Sequence, residues 1–161
     1  DHLYWLGWAE LWRGRRPEAE AAWRSFGAHD DPAVYAARLL AARDALLAAD
    51  TLTARRQLFE AIRAGVGRPE AHGALGELLE RRQIKYGLLE LKVAAFLNPL
   101  DLRARHDLVR GLVEVRLDEA ARGAFEDLDR VDPGWARDST LAHARRTLDL
   151  RSGAGMSVAE F

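Results

Sequence analysis

The sequence contains no cysteine. That excludes a disulfide framework, a thiolate-held metal and a cysteine nucleophile. Long apolar runs are missing too. No stretch free of Asp, Glu, Lys and Arg exceeds eight residues, as in 93–100. A bilayer-spanning helix needs roughly 18–20 apolar residues, so none is encoded here. There is no surplus of either charge: 24 Lys and Arg stand against 25 Asp and Glu, a net charge of −1. This balance argues against nucleic acid or an anionic membrane as partner. Alternating apolar and polar residues between turn dipeptides are absent, so no strand is predicted. No signal peptide is recognisable, and a start at Asp1 rather than Met is expected of a processed or excised piece.

What remains is a folding composition. Of 161 residues, 48% are hydrophobic and 30% charged, which suits one globular domain. Arg outnumbers Lys and Ala-rich segments abound, a bias associated with bacterial GC-rich genomes.

The search for chemistry returns little. His2, His29, His72, His106 and His143 form no ligand spacing such as H-E-x-x-H. His29-Asp30-Asp31 is the densest cluster, but Asp31 precedes Pro32 and is expected to cap a helix. Gly65-Val66-Gly67 follows a helix rather than a strand and lacks a Lys-Ser/Thr, so no phosphate loop is predicted. Neighbouring carboxylates, Glu18 with Glu20 and Asp127 with Asp129, read as solvated charge. Serines are few, at 25, 139, 152 and 157, and none sits in a Gly-x-Ser-x-Gly elbow. No catalytic residue, metal site or cofactor is predicted.

Periodicity is the dominant signal. Ala19-x3-Trp23 recurs as Ala54-x3-Leu58, Gly87-x3-Leu91 and Ala121-x3-Phe125, in steps of 35, 33 and 34. A second column, Leu6, Ala41, Leu75 and Leu108, advances by 35, 34 and 33. A third is partial: Pro32, Pro99 and Pro133, with a displaced member at Pro69. Each unit reads as two helices. Gly14 closes the first helix and Pro17 opens the second. Further helices are expected near 33–49, 52–64, 69–82, 84–97, 101–115, 117–130 and 135–150, followed by a flexible tail at 151–161.

These columns resemble the tetratricopeptide repeat. Repeat one offers Leu3-x2-Leu6-Gly7, Ala19-x3-Trp23 and Pro32; repeat three offers His72-x2-Leu75-Gly76-x2-Leu79, Gly87-x3-Leu91 and Pro99. Repeat four offers Leu108-Val109-x2-Leu112, Ala121-x3-Phe125 and Pro133, and repeat two, the poorest, Ala41-Ala42-x2-Ala45 and Ala54-x3-Leu58. The resemblance implies a single domain over 1–150: an all-α, right-handed solenoid of about four helix–turn–helix repeats (1–32, 33–68, 69–100, 101–133) with a capping helix at 135–150. Small residues at Gly7, Gly76, Ala19 and Ala121 let helices approach, and Trp23, Leu58, Leu91 and Phe125 fill the space beside them. A groove lined mostly by the first helix of each pair is then expected.

The first helix carries a second aromatic stripe, Tyr4, Trp8 and Trp12 at i, i+4, i+8. Three coverings are open: a missing upstream repeat or self-association through this helix, a partner peptide or protein in the groove, or packing within repeat one. Tyr and Trp are favoured at interface hot spots. Arg43, Arg105 and Arg110 fall at equivalent places in later repeats, where they could grip an acidic partner. Some chaperone cofactors of the family clamp carboxylates with Lys and Asn in repeat one; Tyr4 and Trp8 stand in those places here, so that clamp is not carried over. The expected function is a non-catalytic protein–protein interaction module acting as scaffold or adaptor. The alternatives are a structural spacer or oligomerisation domain of a larger bacterial assembly, and a regulatory domain fused to an enzyme.

Overall fold

A computed structural model describes residues 2–26, 31–80 and 83–156. Among these residues the chain is all-α, with no strand. No described helix is long and apolar enough to cross a membrane. The chain divides into two compact units, which meet in sequence between Leu97 and Asn98. The first holds α1 (His2–Trp12), α2 (Arg16–Phe26), α3 (Pro32–Leu47), α4 (Thr51–Ala64), α5 (Pro69–Glu80) and α6 (Ile84–Leu97). The second holds α7 (Leu102–Glu114), α8 (Asp118–Val131), a single 3-10 turn at Trp135–Arg137 and α9 (Ser139–Met156).

Consecutive helices pair as hairpins: α1 with α2, α3 with α4, α5 with α6, and α7 with α8. Three hairpin links share one closure. Arg15 N–H donates to Glu10 O at 2.9 Å and Gly14 N–H to Leu11 O at 3.0 Å. The same pair of bonds recurs from Asp50 to Ala45 and Ala49 to Leu46, and from Leu117 to Leu112 and Arg116 to Val113. This is the Schellman arrangement, in which a left-handed residue after the helix returns two orphan carbonyls to hydrogen bonding. Gly14, Ala49 and Arg116 have φ of 75°, 57° and 60°. The first two stand 35 residues apart and the last a further 67, close to twice the period, so the links repeat along with the side-chain columns.

Four helix starts, those of α3, α4, α7 and α9, are fixed by aspartates. Asp31, Asp50, Asp101 and Asp138 each accept a backbone N–H from two or three residues ahead, which satisfies donors that a helix's first turn leaves open. Asp138 explains why α9 begins later than expected. It caps Thr140 at 2.8 Å and Leu141 at 3.2 Å, and the residues before it form the 3-10 turn.

Two of the expected small-against-large pairs, Gly7 with Trp23 and Gly76 with Leu91, are present. A Cβ on Gly7 would overlap the Trp23 indole, and one on Gly76 would lie 2.7 Å from Leu91 Cγ and 3.1 Å from Gly87 O. Trp23 Nε1–H donates to Tyr4 O at 3.2 Å and locks α2 onto α1. In the second unit, Phe125, Leu128, Leu141 and Leu148 are fully buried. The Phe125 ring lies 4.9 Å from that of Trp135, and Arg151 ties α9 back by donating to Val113 O at 2.8 Å and Asp118 at 3.0 Å.

Tyr35 fastens α3 to the start of α5. Its hydroxyl donates to Glu70 Oε2 at 3.0 Å and accepts the Ala71 N–H at 3.0 Å. Burial raises the hydroxyl's pKa well above its ordinary 10.0; the Ala71 bond opposes that rise and the nearby Glu70 adds to it. The neutral form is therefore favoured in the fold. The stability this contributes is complete below pH 10 and is lost as pH climbs beyond it. Tyr35→Phe is expected to flatten the alkaline fall of Tm above pH 10. At pH 7 it should cost about 1–3 kcal/mol through the orphaned Ala71 N–H, and melts from pH 7 to 11.5 check both.

Candidate functional site

One face of α4 presents Leu52, Arg55, Arg56, Phe59 and Glu60 at i, i+3, i+4, i+7 and i+8. These residues form one wall of an open valley of about 650 Å³. Leu75 and Leu79 of α5 contribute the second side, and Gln83 before α6 with Tyr86 and Glu90 on α6 the third. The volume lies within the roughly 300–1,000 Å³ of ordinary binding clefts. The lining is mainly apolar. Leu52 is 69% exposed and Tyr86 50%, which places two large apolar groups at the rim. A valley arises here because α4 packs on α5 and α5 on α6. Elsewhere in the unit, Gly76 brings α6 close to α5.

Beside this opening the same helices hold Tyr4 of α1. Its ring is edge-on to Phe59, with centroids 5.6 Å apart, and parallel to His72 at 6.4 Å. Its hydroxyl donates to Glu90 Oε1. Glu90 Oε2 lies 2.8 Å from His72 Nδ1, and His72 Nε2 lies 3.0 Å from Val66 O. A carbonyl only accepts, so Nε2 carries a proton, and one further proton is shared between Nδ1 and Oε2. Tyr4 and His72 are fully buried and Glu90 is 3% exposed. Both Glu90 oxygens and both His72 nitrogens are thus engaged internally. No group of three or more potential metal ligands occurs among the described residues.

Two features distinguish this valley from the groove implied by the resemblance. Its long walls are second helices, α4 and α6, with the first helix α5 between them. It also adjoins a slot already filled by the chain's own Tyr4. Tyr4, expected on a groove-facing stripe, is closed off from solvent within the first unit. The side chains of Trp8 and Trp12, expected on the same stripe, lie outside the described residues. Arg43 is exposed on α3, on a face that also bears Leu40 (59% exposed) and Leu47 (78%), and is not among the valley's lining. Arg105 and Arg110 belong to α7 in the second unit. Arg105 Nε donates to Pro99 O at 2.7 Å and Arg110 Nη2 to Asp107 Oδ1 at 2.8 Å. The residues that sequence reasoning missed are Arg55, Arg56, Phe59, Tyr86 and Glu90. A signal existed for Glu90, a carboxylate amid the apolar run of α6 (IKYGLLELKVAAFL).

Neither any protein-family model nor any curated protein matches the chain. The functional reading therefore rests on the geometry.

Proposed function

We propose that the chain is a non-catalytic protein–protein interaction module, a right-handed stack of tetratricopeptide-like hairpins closed by α9, whose partner segment seats in the α4–α5–α6 valley. The repeat columns, the three Schellman links and the glycine-against-large pairs support the repeat reading. The observation that carries the function is the open valley itself: Leu52, Phe59, Leu75, Leu79 and Tyr86 give it an apolar lining with aromatic groups at wall and rim, as binding clefts have. The adjoining slot already holds one aromatic side chain, Tyr4, from a helix, which is the type of contact such a partner would make.

A random peptide library displayed on phage tests this with the intact chain. Peptides are expected to be enriched whose binding falls at least thirty-fold with Leu52→Asp or Tyr86→Ala, the loss of about 2 kcal/mol that marks a central hot spot. Leu150→Asp, at a residue 74% exposed on α9, should leave binding unchanged. Equal binding by all three variants would remove the valley from the interaction surface.

A further inference from the structure

Given that valley, the charges around it specify what sits in it. Five charged or strongly polar side chains line it: Arg55, Arg56, Glu60, Gln83 and Glu90. Glu90 does not act outward, because Tyr4 holds one of its oxygens and His72 the other. Among the described residues, Arg55, Arg56 and Glu60 form no close ion pair, although Arg56 lies near enough to the exposed Asp50 to help lower that carboxylate's pKa. Within the lining, two guanidinium groups stand against one outward carboxylate, Glu60, an excess of one positive charge. Both arginines are exposed on the α4 wall one turn from Leu52 and one turn from Phe59. An occupant that reaches the apolar floor must pass beside them.

The backbone narrows the choice further. The valley's walls are helices, whose amide and carbonyl groups are already used along each helix. An extended peptide finds no sheet edge here to pair with, so its backbone would depend on the few polar side chains of the rim. A helix brings its backbone already satisfied and offers side chains alone. Leu52, Arg55, Arg56 and Phe59 span about two helical turns, roughly 10 Å, which matches an i, i+3, i+4, i+7 stripe on a facing helix.

We infer that the partner segment is an acidic amphipathic helix, its apolar stripe set on Leu52, Phe59, Leu79 and Tyr86 and its carboxylates on Arg55 and Arg56. This rests on the valley being the partner site. Guanidinium groups bind carboxylates through two parallel hydrogen bonds, so the arginines add direction as well as charge.

The test is a second display library of helix-forming 18-residue peptides with a fixed Leu stripe and randomised flanking positions, selected on the intact chain and on the Arg55→Glu, Arg56→Glu double variant. Both replaced residues are exposed, and matching thermal melts verify the variant's fold. The wild-type pool should be rich in Asp and Glu. Its peptides should bind the variant at least ten-fold more weakly and lose affinity between 50 and 300 mM salt. The pool selected on the variant should turn to Lys and Arg. A wild-type pool without acidic bias, or one whose binding ignores the double variant, overturns the inference while leaving the valley reading intact. A pool dominated by peptides with central proline overturns the helical part. If no selected peptide depends on Leu52 or Tyr86, the valley reading falls, and the inference with it.

Discussion

Glu90→Ala is expected to destabilise the protein by about 2–6 kcal/mol, the cost of leaving two buried polar groups without a partner. The loss follows from the bonds around that carboxylate. Without it, the Tyr4 hydroxyl and His72 Nδ1 are stranded in surroundings that exclude water, since both residues are fully buried. Each such orphan costs about 1–3 kcal/mol. Glu90→Gln is the informative companion. Its carbonyl can still accept from Tyr4, and its amide can donate to Nδ1 of a His72 whose Nε2–H stays on Val66 O. That variant is expected to lose under about 1.5 kcal/mol, the range of a single net hydrogen bond. Urea unfolding of the three proteins checks the order. An alanine variant within 1 kcal/mol of wild type would mean that Tyr4 is not clasped by α6.

The second large effect concerns α1 and α2. Trp23→Ala should cost about 3–5 kcal/mol, as expected for emptying a buried aromatic site. Trp23 is 2% exposed and its indole covers Gly7. Gly7→Ala should cost about 1–3 kcal/mol for the opposite reason, because the added methyl group has no room. Combined with Trp23→Leu, the same methyl gains space, so the double variant should be more stable than the sum of the two single losses predicts. A double-mutant cycle by thermal melts should give a coupling of about 0.5–3 kcal/mol. Strict additivity would show that glycine and tryptophan do not share one packing site.

The close approach at Gly7 and Gly76 was legible in the sequence, because a small residue paired with a large one at a fixed period is what closely packed helix pairs require. The Asp31-Pro32 start and the Gly14 stop were legible for local reasons, capping geometry and freedom at positive φ. Ala49 and Arg116 close their hairpins in the same left-handed way without glycine, so composition gave no sign of them. The start of α9 was misplaced because the residues after Gly134 look helical, whereas Asp138 competes for the cap and wins through two N–H bonds. The valley was the least legible feature. The Tyr4–Glu90 bond joins residues 86 apart in sequence. A helical stripe can be read from one segment, but the position of α1 beside α4, α5 and α6 is a tertiary fact. Periodicity assigns Tyr4 to a face; it does not say what meets that face.

The central claim is that a partner segment occupies the valley of α4, α5 and α6. Photo-crosslinking tests it most directly: benzoylphenylalanine is introduced singly at Leu52, Tyr86, Leu47 and Leu150, each exposed in the structure, and each protein is irradiated with a library-selected peptide. Crosslinks from positions 52 and 86, and none from 47 or 150, are the result expected. Crosslinks from position 47 on the exposed face of α3, with positions 52 and 86 silent, would contradict the account and move the binding surface to α3.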